Sequence, residues 1–483
     1  MDTVTKQEFV ALSQEEQQLR ALFAAQQKAF LTDLNPSKTV RLDRLQRLLQ
    51  MTLKYGEEMA TAISADFGNR SPNITRLADT MLVEAAIKHA KRHLSKWMRA
   101  RRAPTALYFM PGSNRIMRQP LGVVGVIAPW NYPYQLAMAP AVGAIAAGNR
   151  VMLKPSELTP RFSALLEKAV AEFFKADEFV VVNGDAAIGR TFSELAFDHL
   201  IFTGSTQVGR LVAQAAARNL TPVTLELGGK SPVIIDKSAD LEEMAARIAH
   251  GKLFNGGQTC VAPDYVLVPK DMLQGFLDGF KRAVLRMYPS IENNPDYTSV
   301  INDRHFQRLQ GLVQDARDQG AQVIEINPAH ETLSPTARKI APTLVVGANE
   351  QMRIMREEIF GPLLPVLPYN SLEEAIAYVN AHDRPLALYY MGEDNVAKNK
   401  VLNGTIAGGM TINDCIWHFG QEDVPTGGVG ASGMGAYHGE YGFRTFSKEK
   451  PIFNQPRYNG MFLLYPPYGE TFARMMSVVK RFL

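Results

Sequence analysis

The central part of the chain alternates short apolar segments with segments of helical periodicity, and no other feature constrains the fold as strongly. Four apolar runs occupy residues 123–127, 150–153, 179–182 and 199–202. Helical segments lie between them, near residues 138–147, 160–175 and 207–218. Apolar strands that alternate with helices predict an α/β fold built on a parallel, doubly wound sheet.

The length of the chain predicts more than one domain. At 483 residues and 53.5 kDa, it is too long for a single hydrophobic core. Residues 228–409 again alternate strands with helices, so we expect a second domain there. The composition, with 46% hydrophobic and 21% charged residues, is that of an ordinary globular protein. Its 52 Lys and Arg residues and 48 Asp and Glu residues are dispersed, which does not indicate a nucleic-acid partner.

Residues 119–149 carry no charge and are long enough to suggest a membrane span. Prolines and Asn131 interrupt the stretch, so we interpret it as a strand, a loop and a buried helix. The N-terminus lacks the basic and apolar regions of a signal peptide. The two cysteines, Cys260 and Cys415, form neither a disulfide framework nor a metal-binding spacing. We therefore expect a cytoplasmic protein without a bound metal and without membrane association.

The N-terminal region has the pattern of a helical lead-in. Ser13 and Glu16 have the spacing of a capping box, and helical apolar spacing follows in three segments, the third near residues 76–97. Residues 105–119 contain two loosely alternating segments on either side of a Pro-Gly-Ser-Asn sequence, which predicts a β-hairpin. The tail, residues 461–483, is apolar in patches. Packing on the body of the protein and lying on a surface are the alternatives for it, and we expect packing.

Polar residues follow three of the predicted strands, at the edge where ligands bind in parallel sheets. They lie in residues 129–133, 154–157 and 203–209. The third stretch opens a helix at Ser205, and the free N–H groups of a helix start bind phosphate; an ordinary N-cap explains the same serine. Lys154 and Glu157 have the chemistry to bind phosphate or ribose hydroxyls, or they are surface charges. The residues alone leave both interpretations open.

Two reactive side chains lie in unusual settings. Cys260 ends the sequence FNGGQTC, whose glycines allow a sharp turn that would present the thiol to a cleft; the alternative is a small buried core residue. Glu226 lies within the apolar strand VTLEL, where a buried carboxylate is costly and needs a reason. Burial raises a carboxyl pKa toward neutrality, which suits a general base. A structural ion pair with a lysine or arginine is the alternative for Glu226.

Taken together, these motifs resemble the NAD(P)-dependent aldehyde dehydrogenases. The matching stretches, in family order, are PWN at 129–131, FTGS at 202–205, LELGGK at 225–230, FNGGQTC at 254–260 and EIFGP at 358–362. The sequences at 433–439 and 443–447 resemble the class 3 branch of the family. Residues 65–71 and 465–468 are similar to the bacterial coniferyl aldehyde dehydrogenases within that branch. One departure is Thr426, where the branch commonly has phenylalanine.

The resemblance implies an aldehyde dehydrogenase-like fold of two doubly wound parallel-sheet domains and a β-hairpin oligomerisation arm. The implied division of the chain is a cofactor-binding domain at 1–104 and 120–227, a catalytic domain at 228–409, the arm and a loop closing the cofactor site at 105–119 and 410–460, and a C-terminal tail at 461–483. The class 3 relatives also imply a homodimer, for which an edge hairpin would be a suitable pairing surface.

The resemblance further implies a mechanism and a cofactor. Cys260 would attack the aldehyde to form a thiohemiacetal, and Asn131 with the Cys260 backbone N–H would bind the oxyanion. Glu226 would activate water to hydrolyse the thioester that remains on the thiol. The implied cofactor is NAD, with NADP possible, and no metal is required. The residues implied to bind the cofactor are Trp130, Lys154, Glu157, Gly204, Ser205, Gly209, Glu358 and Phe360.

The implied substrate is an aromatic aldehyde similar to coniferyl aldehyde, and a medium- or long-chain aliphatic aldehyde is the alternative. The aromatic residues that would line its pocket, unless they serve core packing alone, are Tyr134, Trp417, His418 and Phe419. Glu226 argues against an enzyme that transfers the acyl group to coenzyme A, since hydrolysis is the step that needs a base. No papain- or caspase-like sequence surrounds Cys260, which argues against a thiol hydrolase. A non-catalytic binding protein would have little reason to keep Cys260, Glu226 and Asn131 together.

Overall fold

The structure of the protein is a computed structural model that describes residues 13–481. The helices are α1 (Gln14–Thr32), α2 (Lys38–Phe67), α3 (Pro72–Thr75), α4 (Met81–Trp97), α5 (Gln135–Ala147), α6 (Pro160–Phe173), α7 (Ala186–Ser193), α8 (Thr206–Ala217), α9 (Leu241–Leu253), α10 (Leu273–Met287), α11 (Asp303–Asp318), α12 (Arg353–Arg356), α13 (Leu372–Asn380), α14 (Asn395–Gly404), α15 (Gly439–Thr445) and α16 (Glu470–Val479). The strands are β1 (Arg101–Ala103), β2 (Ser113–Pro120), β3 (Val123–Ile127), β4 (Arg150–Lys154), β5 (Phe179–Val181), β6 (His199–Gly204), β7 (Val223–Leu227), β8 (Pro232–Ile235), β9 (Tyr265–Pro269), β10 (Gln322–Glu325), β11 (Thr343–Val346), β12 (Leu363–Tyr369), β13 (Ala387–Met391), β14 (Gly409–Ile412), β15 (Gly433–Met434) and β16 (Ser447–Asn454).

The first sheet confirms the doubly wound arrangement predicted for the centre of the chain. Its strand order is β15-β7-β6-β3-β4-β5, in which only β15 is antiparallel to its neighbour. Helices α2, α4, α5 and α6 pack on one face, and α1, α7 and α8 pack on the other. Val124 and Val126 point to the first face while Val123 points to the second, as the period of two in a strand requires. Burial on both faces explains why the strands are continuous apolar runs.

The second sheet has the order β10-β11-β12-β9-β8-β13-β14, and only β10 is antiparallel to its neighbour. Helices α9 and α10 cover one face, and α13 and α14 cover the other. This arrangement confirms the second parallel sheet expected from the alternating pattern of residues 228–409. Cys415 is fully buried in the core under α9 and α10, which is the ordinary place for a structural cysteine.

The third sheet is antiparallel, with the order β1-β2-β16. The predicted hairpin is present in this sheet, but its limits differ from the expected residues 105–119. Its first strand is β1, and Leu107–Phe109 form a 3-10 turn. Pro104 and Pro111 flank that turn and cannot donate to a strand ladder, which explains why strand pairing stops before it. The far end of the chain supplies β16, a partner that no local pattern indicated.

Several local predictions are confirmed. Ser13 caps α1 in a capping box: its hydroxyl accepts from the Glu16 N–H at 3.2 Å, and a Glu16 carboxylate oxygen accepts from the Ser13 N–H at 2.8 Å. The uncharged stretch forms β3, a loop and the buried helix α5. Within residues 13–481, no helix combines the length and the apolar character needed to cross a membrane.

The described part of the C-terminal tail lies at the surface of the protein. Helix α16 contains no buried residue, and Phe462, Tyr465 and Tyr468 are 63%, 64% and 68% exposed. Other apolar side chains of the tail, among them Leu463, Leu464 and Met476, are half-buried. Packing of the tail on the body therefore stays a prediction. The division of the chain into cofactor-binding, catalytic and arm domains stays a prediction.

Candidate active site

The loop that carries Cys260 is shaped by three residues with left-handed backbone. Helix α9 ends at Leu253, and Asn255, Gly256 and Gly257 then have φ values of 55°, 64° and 76°. A Cβ atom on Gly257 would lie 2.3 Å from the carbonyl oxygen of Gly361. Only glycine therefore allows this close approach of two loops. The turn leaves Cys260 partly exposed, as the sequence predicts for a thiol that faces a cleft.

Asn131 lies in the loop between β3 and α5 and is tied to the cysteine loop from both sides. Its side-chain Nδ2 donates to the carbonyl oxygen of Gln258 at 3.2 Å. In return, the side-chain Nδ2 of Asn255 donates to the carbonyl oxygen of Asn131 at 3.0 Å. The Asn131 amide carries two N–H donors and only one is used in this contact, so the other remains available to a ligand.

Glu226 is buried in β7, between β6 and β15, where its backbone lies opposite Thr203 and Gly433. The residue is 3% exposed, and neither carboxylate oxygen has a hydrogen-bond partner within residues 13–481. No lysine or arginine of the described chain forms an ion pair with it, so the structural ion-pair interpretation fails there. Burial raises the pKa of Glu226 well above its ordinary value of 4.5. A carboxyl group in this setting keeps its proton to a higher pH than an exposed carboxyl group does.

Glu358 and Phe360 lie in the loop after α12. A Cβ atom on Gly228 would be only 2.1 Å from a carboxylate oxygen of Glu358, so this carboxylate lies directly against the chain two residues beyond Glu226. Phe360 has a φ of 51°, a strained value for a bulky residue, and its ring packs on Trp130 with 5.4 Å between centroids. Burial, reinforced by Asp264, raises the pKa of Glu358 to about 8.

The pKa of the Cys260 thiol responds to the carboxyl groups of Glu226 and Glu358, so these three groups lie in one site. Burial raises the pKa of Cys260 to about 12, and the nearby carboxylates of Glu358 and Glu226 contribute to this shift. The structure therefore brings Cys260, Glu226, Asn131 and Glu358 together at the junction of the two parallel sheets. The resting thiol is protonated, so its attack on a carbonyl requires transfer of that proton to a base.

Most of the residues expected to bind the cofactor lie at or just beyond the carboxyl edge of the first sheet, whereas Glu358 and Phe360 lie in the loop after α12. Lys154 ends β4 and its Nζ lies 3.5 Å from a carboxylate oxygen of Glu157. Ser205 follows β6 and caps α8, accepting a hydrogen bond from the Val208 N–H at 3.4 Å. A Cβ atom on Gly209 would lie 2.6 Å from the Leu227 side chain, so tight packing of α8 on β7 explains this glycine, and its contact with a cofactor stays a prediction.

A cleft opens beside Cys260. Its lining residues are Leu77, Ala78, Met81, Leu82, Tyr132, Gln135, Leu136, Phe254, Thr259, Cys260, Val261, Ile416, Trp417, Phe419 and Gly420. Trp417 and Phe419 were expected here. Two other expectations are corrected: Tyr134 is buried and hydrogen-bonded to Thr52 at 2.6 Å, and His418 bonds to Thr411 at 2.7 Å.

Sequence reasoning missed several polar groups of the site. Tyr132 lies within the predicted loop, but only the structure places its hydroxyl 2.6 Å from the Thr259 hydroxyl, one residue before the reactive cysteine. Lys252 is fully buried, its Nζ has no hydrogen-bond partner within residues 13–481, and burial lowers its pKa to about 8. The Tyr437 hydroxyl is likewise buried and unpartnered there. No spacing or periodicity in the sequence marks Lys252 or Tyr437.

This geometry, a partly exposed thiol between an unpaired carboxyl group and a side-chain amide, agrees with a comparison of the sequence with known families. A profile of the Aldehyde dehydrogenase family matches residues 3–452. The chain belongs to the aldehyde dehydrogenase family. The reaction of this family is the oxidation of an aldehyde to a carboxylic acid, and NAD(P) dependence is general within it.

Individual relatives of the enzyme extend over nearly its whole length. It is 49% identical to a coniferyl aldehyde dehydrogenase of a Pseudomonas sp. over 466 residues, 96% of each chain. It is 38% identical to aldehyde dehydrogenase family 3 member A2 of Pongo abelii over 447 residues, which cover 92% of this chain and 90% of the relative. These similarities confirm the predicted family and its class 3 branch.

Solved structures show the same fold. The substrate-bound state of AldH from Staphylococcus aureus superimposes on this enzyme with a TM-score of 0.90 and 36% identity, covering 95% of this chain and 99% of the other. The structure of PnpE in complex with nicotinamide adenine dinucleotide gives a TM-score of 0.82 at 26% identity, covering 92% and 91% of the two chains. The predicted fold class is therefore confirmed.

Proposed function

We propose that this enzyme oxidises an aromatic, coniferyl-type aldehyde to its carboxylic acid, with NAD as the preferred cofactor. The observation that carries the substrate proposal is the 49% identity, over 96% of each chain, to a protein named coniferyl aldehyde dehydrogenase. A medium- or long-chain aliphatic aldehyde is the second candidate, favoured by the aliphatic wall that Leu77, Met81 and Leu82 give to the cleft.

The shape and chemistry of the cleft support an aromatic substrate. Tyr132, Phe254, Trp417 and Phe419 contribute aromatic rings to its walls, and aromatic rings pack well against one another. Gln135 is only 4% exposed, and its side-chain amide makes no hydrogen bond within the described part of the chain. An amide of this kind in an otherwise apolar cleft would bind the phenolic or methoxy oxygen of a coniferyl-type aldehyde.

Cys260 supplies the nucleophile. Its sulfur attacks the carbonyl carbon as the thiol proton moves to a base, and the carbonyl oxygen becomes an oxyanion. The free N–H of the Asn131 amide and the backbone N–H of Cys260 would donate to that oxyanion, stabilising charge where it develops. Loss of hydride from the same carbon then leaves a thioester on the sulfur.

Glu226 would complete the reaction by activating water. Its unpaired carboxylate can accept a proton from a water molecule, whose oxygen attacks the thioester carbon and releases the carboxylic acid and the thiol.

The residues at the carboxyl edge of the first sheet fit a dinucleotide. The start of α8 offers N–H groups without helical partners, which suits a pyrophosphate beside Gly204 and Ser205. Lys154 and Glu157 would hold the adenosine ribose, and Glu358 the nicotinamide ribose. Trp130 and Phe360 would flank the nicotinamide ring and Gly209 would border the pyrophosphate. When bound, the nicotinamide accepts the hydride.

The preference for NAD over NADP rests on Glu157. Its carboxylate is about half exposed beside Lys154, where it would bond the ribose hydroxyls. A 2′-phosphate in the same place would meet a like charge, which disfavours binding. The preference is expected to be moderate because Lys154 offsets part of this repulsion.

A homodimer assembled through the third sheet is the proposed assembly. Strand β16 is an edge strand of that sheet, and unpaired edges favour pairing with another chain. Exposed apolar side chains accompany it, among them Leu107, Met110 and Phe453. Residues 105–119 and 410–460 would then act as the arm, with residues 1–104 and 120–227 binding the cofactor and residues 228–409 carrying the nucleophile.

Steady-state kinetics test the substrate proposal. The values of kcat/KM for coniferyl aldehyde, benzaldehyde and decanal should be compared at saturating NAD. We expect coniferyl aldehyde to be preferred over both by about 10-fold or more, since a site that bonds a substrate oxygen discriminates against analogues that lack it. A higher value for decanal would favour the aliphatic candidate.

A further inference from the structure

A buried ion pair lies behind the Asn131 loop, and the mechanism above does not use it. Arg70 and Asp79 have fully buried side chains, and Nη2 of Arg70 lies 2.7 Å from Oδ2 of Asp79. Asp79 belongs to a π-helical turn, Arg76–Thr80, that interrupts the passage from α3 to α4. Such turns occur often at functional sites. A buried ion pair is weak evidence for stability, because desolvation offsets the attraction of its charges.

The two partners hold different ends of the Asn131 loop. Nη1 of Arg70 donates to the carbonyl oxygen of Asn131 at 3.0 Å. Oδ1 of Asp79 accepts from the N–H groups of Tyr134 at 3.2 Å and Gln135 at 3.0 Å. The Arg70–Asp79 pair thereby holds the segment from Asn131 to Gln135 at both of its ends.

The same arginine reaches the cysteine loop by a second route. Its guanidinium carbon lies 5.0 Å from the centroid of the Tyr132 ring, a cation–π distance. The Tyr132 hydroxyl is 2.6 Å from that of Thr259, the neighbour of Cys260. Arg70 therefore contacts both residues that follow Trp130, and through Tyr132 it braces the loop that carries the nucleophile.

We propose that the Arg70–Asp79 pair positions the oxyanion site, by fixing the Asn131 amide relative to Cys260. The inference rests on the proposed role of Asn131 as an oxyanion donor. Such donors act only when held at the place where charge develops, and a displacement of about 1 Å slows catalysis on the order of 100-fold. Arg70 and Asp79 are positioning residues here, since neither touches the reacting atoms.

The expected effect is smaller than loss of the donor itself. Asn255 also donates to the Asn131 carbonyl oxygen, at 3.0 Å, so the loop keeps one anchor when Arg70 is replaced. Removing an oxyanion donor slows the chemical step about 10²- to 10³-fold. We therefore expect loss of the pair to slow hydride transfer about 10- to 100-fold.

The test variant combines Arg70→Met with Asp79→Asn. Both replacements are neutral and similar in size to the original side chains, so no unpaired charge is left in the core. The amide oxygen introduced at position 79 can still accept from the two N–H groups. The matched control combines Arg44→Met with Glu178→Gln. It removes the Arg44–Glu178 contact of 3.2 Å and the charge that pairs with Arg47 at 3.0 Å, both at the amino end of β5 and away from the site.

The measurement is a single turnover, with enzyme in excess over coniferyl aldehyde and saturating NAD, followed by NADH absorbance. The test variant should show the full NADH amplitude with a rate constant about 10- to 100-fold lower, while the control variant keeps the wild-type rate. A purely structural role would lower thermal stability and leave the rate constant of the folded enzyme unchanged. A wild-type rate in the test variant would overturn the proposal.

A double-mutant cycle with Asn131→Ala distinguishes failure of the positioning proposal from failure of the oxyanion assignment of Asn131. If the pair acts through Asn131, adding the paired substitution to Asn131→Ala should cause no further loss of rate. Additive losses would overturn the proposal and leave the role of Asn131 intact. A wild-type rate for Asn131→Ala alone would instead refute the oxyanion assignment, and the positioning proposal would fall with it.

Discussion

Replacing Glu226 with glutamine should uncouple hydrolysis of the thioester from the steps before it. The substitution is close to isosteric, and the wild-type carboxylate has no hydrogen-bond partner within residues 13–481. No ion pair of the described chain is broken, so the loop of Cys260 and the strand β7 should keep their geometry. The change removes the proton-accepting capacity of the group, and little else.

The magnitude follows from the step that the carboxylate serves. Loss of a positioned general base slows its step about 10²- to 10⁴-fold, which corresponds to about 3–5 kcal/mol in the activation free energy of hydrolysis. Glu358 is not expected to replace it, because that carboxylate lies against Gly228 and is assigned to the ribose. Attack by the thiol and hydride transfer should proceed, so the thioester accumulates.

The assay is rapid mixing of the variant with NAD and coniferyl aldehyde. We expect a burst of NADH of about one equivalent per active site, followed by a slow steady rate, because acyl-enzyme formation then outpaces its breakdown. Acid quenching during the slow phase, followed by mass spectrometry, should find the acyl group on Cys260. Wild-type enzyme supplied with coenzyme A should still release the free acid.

The stability of the variant provides an internal control. The pKa of Glu226 is raised in the folded protein, so the folded state binds this proton more tightly than the unfolded state. Stability is then lost as the pH rises from the ordinary pKa of 4.5 through the folded value. Glu226→Gln removes that loss, and its Tm at pH 8 should equal or exceed that of the wild type.

Two results would refute this reasoning. Steady-state turnover at the wild-type rate would mean that Glu226 is not the base for hydrolysis. Disappearance of the burst, in a variant that is folded and binds NAD, would place Glu226 at the earlier deprotonation of Cys260, whose raised pKa makes such a base necessary.

The other predictions concern the nucleophile, the substrate, the cofactor and the assembly. Cys260→Ala should abolish aldehyde oxidation while calorimetry still detects NAD binding. Cys415→Ala changes the core and should lower Tm but keep activity. Loss of activity in Cys415→Ala but not in Cys260→Ala would show that Cys260 is not the nucleophile. Gln135→Leu should lower kcat/KM for coniferyl aldehyde about 10-fold and leave that for cinnamaldehyde unchanged, since only the former carries oxygen substituents on its ring for the amide to bond; equal losses would argue against this contact. Glu157→Gln should improve kcat/KM with NADP relative to NAD, and a wild-type preference for NADP would contradict the role of this carboxylate. Light scattering should show a homodimer at micromolar concentration, and a monomer would count against pairing through β16.

Local sequence determined the elements of the fold and the identity of the reactive groups. Continuous apolar runs predicted the strands of both parallel sheets, because burial on two faces leaves no polar position in the repeat. Two glycines before Cys260 indicated the sharp turn. In the structure Gly257 has left-handed backbone, and a Cβ atom there would lie 2.3 Å from the carbonyl oxygen of Gly361. A carboxylate within an apolar strand marked Glu226 as well, because burial of a carboxylate is costly unless an ion pair or a function accounts for it.

Tertiary structure alone decided how distant segments complete the site. No local pattern shows that β15 pairs with β7, that β16 pairs with β2, or that Arg70 donates to the carbonyl oxygen of Asn131, because each contact joins residues far apart in the chain. The aromatic walls could not be assigned either: Tyr134 and Tyr132 are two positions apart, yet one bonds Thr52 in the core and the other lines the cleft. Periodicity in the sequence indicates which residues are buried, whereas the packing of helices on sheets determines which residues they contact.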